Sequence, residues 1–381
     1  MNKNNKLSRY QRICNELRTD HLNYKEKKSL YKIYNKYSEI IYLEGDELTC
    51  THSIVHEIST GQQQNPINSK TYQYPEVHKE KVKTQINKML KQGIIRPSTS
   101  PWSSPLWVVP KKKDASGKVK WRVVIDYRKL NNVTIGNAYP LPNISEILDQ
   151  LGNSTYFTTL ELASGFHQIK MHPKNIPKTA FSTPTSLYEY TRMPFGLKNA
   201  PATFQRLMNN VLSGLQGLYC FVYLDDIVIY ANSIRDHEIK LESIFKKLQH
   251  HNLKLQPGKF MRHEVAYLGH VISNKGVLPD PEKTKVITNF PVPKNSKEIK
   301  SFLGLIGYYR KFIENFSKLT KPLTKLLKKN TPFTWTEEQQ ESFDTMRNIL
   351  ISPKILQYPD FTKELILTTD ASNFAIAAVL S

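Results

Sequence analysis

CFVYLDDIVIY, residues 220–230, sets two adjacent carboxylates inside a run that otherwise suits a core. The β-branched and aromatic residues on each side predict two short strands, and a two-residue joint between them predicts a hairpin with Asp225 and Asp226 at its tip. Two like charges on an apolar ribbon repel and lose hydration, so a compensating charge is expected, most simply a divalent cation. An ordinary turn is the competing reading, because Asp is a favoured turn residue.

A second acid in a comparable setting is Glu161, within YFTTLELASGF (156–166). Carboxylates that converge from two neighbouring strands meet the needs of a two-metal phosphoryl-transfer site. One ion activates the attacking hydroxyl; the other holds the triphosphate and leaving group. Mg2+ suits that work because it prefers oxygen ligands and keeps positions open for substrate phosphates. Mn2+ is the alternative ion.

The 381 residues suffice for two or three domains. Fifty-four Lys and Arg against 33 Asp and Glu leave a net charge of +21, which points to a polyanionic partner, nucleic acid first. A membrane surface is disfavoured: the sequence shows no basic amphipathic helix, lipidation signal or apolar run of spanning length. MNKNNKLSRYQR (1–12) leads into no apolar region and does not read as a signal peptide. Cys14, Cys50 and Cys220 stand singly, without zinc or disulfide spacing, as expected of an intracellular, reduced protein.

Residues 1–70, rich in Lys and Tyr and ending in STGQQQNPINSK, read as a flexible connector. Pro75 opens a predicted helix with Val77, Val82, Ile86, Met89 and Leu90 at helical spacing and Gly93 at its end. RPSTSPWSSP (96–105) is a loop, and LWVVPKKK, DASGK and VKWRVVIDY (106–127) predict a hairpin. A short helix near 143–151 precedes the Glu161 strand, and RMPFGLKNAPATFQRLMNNVL (192–212) runs from a turn into a helix. Another helix is expected over 234–250, with Leu241, Ile244, Phe245 and Leu248 on one face, and AYLGHVIS (266–273) reads as one strand. Beyond Pro279 the character is helical, with Ser296 as an N-cap and Thr336 with Gln339 as a capping box. ELILTTDASNFAIAAVLS (364–381) reads as strand, acid, strand.

YLDD (223–226) resembles the catalytic tip of reverse transcriptases. KWRVVIDYRKLN (120–131), GFHQIKM (165–171), RMPFGLKNAPATFQ (192–205), YLGHVIS (267–273) and FLGLIGYYRKFI (302–313) resemble the same family in the same order. The resemblance covers roughly 70–381 and is nearest to the pol proteins of gypsy-class LTR retrotransposons; HLNYKEKKSL (21–30) and YLEGDELT (42–49) are similar to the segment preceding the polymerase there. It implies a right hand of fingers, palm and thumb, with Asp225, Asp226 and Glu161 as the metal-binding catalytic carboxylates. Lys112 and Arg122 would contact the incoming triphosphate, to which Arg offers a fork of donors and Lys a compact charge. Phe166 would exclude a ribose 2′-hydroxyl, and Phe195 and Gly196 would lie against nucleotide and template. Tyr267, Leu268, Gly269 and His270 would form the primer grip, and Lys259 would protonate pyrophosphate. On the residues alone, a basic turn, a surface ion pair, core packing, a tight turn and a buried strand end are the competing readings for Lys112, Arg122, Phe166, Phe195-Gly196 and 267–270.

Three departures from the family pattern stand out. Glu161 replaces the family's Asp, adding a methylene inside a site that demands near-octahedral geometry. Gly258 replaces an Asp, with two residues missing after Lys259, and Ser186 replaces a Gly. Asp370 matches the first carboxylate of a ribonuclease H domain, but the sequence ends at Ser381 without the remaining acids, so hybrid cleavage is not expected of this chain alone. No protease DTG triplet or integrase zinc pattern occurs; protease, ribonuclease H and integrase are expected as other segments of the parent polyprotein.

The expected fold is α+β: a right-hand polymerase with a four-stranded antiparallel palm sheet, followed by a truncated ribonuclease H-like start. The expected divisions are a connector (1–70), fingers and palm (71–275), a thumb-like helical region (276–332) and an incomplete ribonuclease H-like domain (333–381). The expected activity is RNA-directed DNA polymerisation by two-metal phosphoryl transfer, with two Mg2+ ions, deoxynucleoside triphosphates and an RNA or DNA template with primer. The expected location is intracellular, in a cytoplasmic virus-like particle or the nucleus. A catalytically inactive nucleic-acid-binding remnant is the main alternative. A palm-type nucleotide cyclase is disfavoured, since it needs neither a template-facing loop nor this charge.

Overall fold

The strand-forming stretches around Glu161 and the paired aspartates are partners in one sheet. A computed structural model describes residues 7–61, 64–72, 75–110, 121–152, 154–257, 259–351, 353, 355–358, 366–371 and 376–380, and the chain divides into two compact units.

The first unit comprises Met1–Asn143 and Tyr156–Arg262. Its centre is a four-stranded antiparallel sheet in the order Lys259–Arg262, Tyr156–Glu161, Asp226–Ala231, Cys220–Tyr223, the expected palm. Phe157, Leu160, Val222, Ile227, Val228 and Ile229 are buried in it. Helix Ile234–His250 packs on the sheet, with Leu241, Ile244, Phe245 and Leu248 fully buried at the predicted spacing. A five-stranded sheet carries the expected hairpin of Ser104–Pro110 with Trp121–Ile125; its connecting residues 111–120 lie outside the described residues. Helix Lys79–Lys91 follows a 3-10 turn at Glu76–His78 and buries Val82, Ile86 and Met89, whereas Val77 is exposed. Gly93, at φ 63°, takes the left-handed conformation that ends it.

The N-terminal stretch is not a connector where it is described. Helices Arg9–Glu16 and Tyr24–Lys36 each begin with a capping box, Ser8 with Gln11 and Asn23 with Glu26. Ile13, Leu30, Tyr34, Ile41 and Leu43 are buried. Tyr34 meets Phe245 and Phe260 edge-on at 5.7 and 5.0 Å. Leucines and isoleucines, with Tyr34 and Tyr37, carry the burial that the lysine-rich composition concealed.

The second unit comprises Ile144–Thr155 and His263–Ser381. A three-stranded meander, Glu264–Tyr267, His270–Ser273 and Gly276–Pro279, leads into helices Pro281–Thr288, Ser296–Gly307, Phe316–Lys325 and Glu337–Ile351, and then the hairpin Leu367–Ala371 with Ile376–Leu380. The expected single strand over 266–273 is therefore two strands, joined by Leu268 and Gly269 at φ 46° and 74°. Positive φ at both positions is the geometry of a type I′ hairpin turn, which Leu does not advertise. The cap at the Ser296–Gly307 helix is Asn295, whose Oδ1 accepts from Glu298 N at 3.0 Å, so Ser296 is its first helical residue. Of the expected capping box at Thr336, the half in which Thr336 N donates to Gln339 Oε1 is present. The unit also crosses the expected boundaries: Gly276 lies within the meander, and the Glu337–Ile351 helix packs on Phe316–Lys325. Among the described residues no helix is long and apolar enough to cross a membrane.

Candidate active site

Strand register builds the carboxylate cluster. Asp226 pairs with Glu161 on one side and Tyr223 on the other, which sets the Asp226 and Glu161 side chains on the same face of the sheet. The hairpin turn is Leu224–Asp225, one residue earlier than expected, so Asp226 is the first strand residue and only Asp225 occupies the tip. Leu224 sits at φ 55°, an uncommon conformation for a branched side chain. Its amide donates to Gln205 Oε1 at 2.8 Å, while Gln205 Nε2 donates to Val222 O at 3.3 Å and Asn209 Oδ1 at 2.9 Å. Gln205 is fully buried on helix Ala200–Val211 and clasps the strained turn from behind. Sequence reasoning missed it; a lone amide on the apolar face of a helix was the available signal.

Partial burial raises the Glu161 carboxyl above its ordinary pKa, and the nearby Asp225 charge raises it further. The fold thus holds like charges together against their repulsion. The donors are all oxygen, as a hard cation such as Mg2+ requires. Among the described residues no group of three His, Cys, Asp or Glu side chains closes around one ion. The cluster fits Mg2+ as an open site, in which one or two carboxylates leave the remaining positions to substrate oxygens.

Beyond Glu161 the chain turns sharply through Ser164, at φ 48°, into the short helix Gly165–Gln168. A Cβ on Gly165 would lie 2.9 Å from the Phe204 ring, so only glycine allows that close approach. Phe166 is 9% exposed, stacked on Phe195 at 4.8 Å and tilted against Phe204 at 5.2 Å. Phe195, by contrast, is 42% exposed. The turn at Phe195 and Gly196 has Gly196 at φ 92°, and its carbonyl accepts from Asn131 Nδ2 at 2.8 Å. Asn131 Oδ1 accepts from Lys198 N at 2.8 Å, so this one amide pins the turn twice. His167 is held near Met193 O at 3.2 Å, and burial lowers its pKa to about 4, leaving it neutral. A cavity of about 650 Å³ lies between helix Lys79–Lys91 and strand Trp121–Ile125, lined by Lys81, Lys88, Trp121, His167 and Phe195.

Of the remaining expected site residues, Arg122 lies on the strand opposite Val109, and Lys259 begins an edge strand opposite Thr159, beside an irregularity in register. Lys112 and Gly258 lie outside the described residues. Asp370 pairs with Ala377 in the C-terminal hairpin. In the second unit, Tyr267 and His270 close the Leu268–Gly269 turn. Tyr308 Oη donates to Leu268 O at 2.6 Å and Tyr309 Oη to Gly269 O at 3.1 Å, two clamps that sequence reasoning did not single out.

Residues 109–272 match the family described as "Reverse transcriptase (RNA-dependent DNA polymerase)", and 335–381 match "RNase H-like domain found in reverse transcriptase". The chain is 51% identical over 369 residues to the retrovirus-related Pol polyprotein from transposon 297 of Drosophila melanogaster, covering 96% of this chain and 35% of that protein. It is 44% identical over 315 residues to that from transposon gypsy of the same organism, covering 79% and 30%. It thus spans about a third of the length of these curated relatives. Among solved structures it is similar to a foamy viral protease-reverse transcriptase in complex with double-stranded DNA, with a TM-score of 0.83, 28% identity, and coverage of 96% of this chain and 63% of that one. These matches in sequence and fold identify residues 109–272 as a reverse transcriptase domain, within a chain similar over most of its length to the Pol polyproteins of retrotransposons such as 297 and gypsy.

Proposed function

We propose that this chain is an RNA-directed DNA polymerase that adds deoxynucleotides to a primer 3′ end by phosphoryl transfer in the presence of Mg2+. The observation that carries the reading is the pairing of Asp226 with Glu161 beside the Asp225 turn. The carboxylates hold an anionic oxygen surface at one sheet end and leave it open to substrate. The chemistry that bound Mg2+ supplies is activation of the primer hydroxyl and neutralisation of charge on the triphosphate. Phe166, packed behind Phe195, limits the volume available to the sugar, and the Asn131-pinned turn fixes the surface on which nucleotide and template rest. The Leu268–Gly269 hairpin, clamped by two tyrosines, is the proposed primer grip.

A second reading, an inactive nucleic-acid-binding remnant, is favoured by one feature, the extra methylene of Glu161. A displacement of about 1 Å at a reacting centre costs on the order of 100-fold in rate, about 2.7 kcal/mol of barrier. Single-turnover extension of a primer on an RNA template in Mg2+ tests both readings. Glu161→Asp should extend faster than the native protein, by up to about 100-fold, with duplex affinity nearly unchanged. Native extension as fast as the variant's would remove Glu161 as a lesion. Extension by neither protein would leave only the remnant.

A further inference from the structure

Helix Tyr24–Lys36 presents Lys25, Lys28, Lys32 and Lys36 at offsets of three, four and four residues, a single stripe along about 16 Å of helix. All four are exposed, while Leu30, Ile33 and Tyr34 bury the other face. The only acid on this helix, Glu26, is buried and engaged in the cap. Among the described residues Lys25, Lys28 and Lys32 make no ion pair, and Lys36 alone is bridged, to Glu242. An ordinary solvated helix face interleaves both signs; this one does not. Tyr24, one turn before Lys28, is 79% exposed at the head of the stripe.

The stripe is remote from the carboxylates. Tyr156 Oη donates to Glu26 Oε1 at 3.3 Å, and Tyr156 begins the strand that ends at Glu161, about 17 Å further along. An anionic bilayer needs an apolar helix face to insert, and here that face is committed to the core. Regularly spaced cations beside an exposed aromatic ring suit a flexible polyanion with unpaired bases.

We propose that Tyr24, Lys25, Lys28 and Lys32 form an auxiliary surface that holds single-stranded RNA away from the catalytic centre. The lysines meet successive phosphates, and the Tyr24 ring stacks an unpaired base. The choice of RNA among polyanions rests on the polymerase reading above. The surface acts on retention of the template, not on the chemical step.

The test compares equilibrium binding of the full chain to a blunt primer–template duplex and to the same duplex carrying a long single-stranded RNA extension, across a salt series. The native protein should bind the extended substrate more tightly and with a steeper dependence of log K on log salt. The triple variant Lys25→Gln/Lys28→Gln/Lys32→Gln should lose about 2 from that slope, at about 0.7 per single-strand phosphate contact. Its blunt-duplex affinity and single-nucleotide addition should stay unchanged, and Tyr24→Ala should weaken only the extended substrate. Melting temperatures matched to native protein confirm that these exposed changes leave the fold intact, and the corresponding Lys→Glu triple should show the larger loss. An unchanged slope in the variants would overturn the proposal, as would equal weakening of blunt and extended substrates. If the native protein fails to extend primers yet the variants still lose extension-specific binding, the polymerase reading falls and this surface stands.

Discussion

At the scale of single residues, Glu161 and Phe166 carry the most consequence. Because burial and the Asp225 charge raise the Glu161 carboxyl, the folded protein binds its proton more tightly than the unfolded chain does. The sign follows: stability from this group is greatest at low pH and falls as pH rises from the unfolded carboxylate value through the raised folded one. In metal-free buffer at neutral pH, Glu161→Gln should therefore melt above the native protein, with the gap closing below the carboxylate range. A thermal melt series across pH reads this, and a gap independent of pH would remove the electrostatic explanation. If Phe166 limits the sugar as proposed, Phe166→Val should raise ribonucleotide incorporation relative to deoxynucleotide; it should also cost on the order of 2 kcal/mol of stability for the lost ring contacts. A preserved incorporation ratio alongside the stability loss would make Phe166 a packing residue. Both positions stand out in the sequence, whereas Gln205 and Asn131, which hold the Leu224–Asp225 and Phe195–Gly196 turns, do not. Gln205 and Asn131 act through turn amides and carbonyls, and nothing in a linear pattern shows where a buried amide will point.

At the scale of elements, the pattern of apolar runs and joints located the palm hairpin and missed its turn by one residue. The error has a physical source: turn rules assign positive φ to Gly, Asn or Asp, whereas Leu224 adopts φ 55° and Gln205 holds its amide. The same rule hid the Leu268–Gly269 turn inside what reads as a single strand. The N-terminal helices were lost to composition, since lysines and tyrosines conceal a one-sided apolar spacing. A sharper test of element geometry lies at Gly276, where φ is 134° and an added Cβ would collide with Leu356 O. That contact faces the backbone bridge between Val277 and Leu356, which an added methyl must displace. Gly276→Ala should cost about 2 kcal/mol or more, from strain at a glycine-only conformation together with the lost bridge. Denaturant titration followed by a probe in the second unit would register it; an unchanged midpoint would mean the Leu356 segment is not held there.

At the scale of the whole molecule, charge, sequence order and fold converge on one family, and each was legible to a different degree. The net charge of +21 points to nucleic acid, and the ordered motifs point to the polymerase family. The two-unit division was not legible, because it depends on Ile144–Thr155 joining a unit whose remainder begins at His263. The Glu161, Asp225 and Asp226 cluster is the proposed centre of template-directed polymerisation. Its most direct test is magnesium-dependent primer extension by native protein and by Asp225→Asn, with duplex binding measured on both. Native protein should extend the primer in a template-dependent way, and Asp225→Asn should lose extension while retaining duplex affinity. Extension that persists in Asp225→Asn would contradict that role of the cluster.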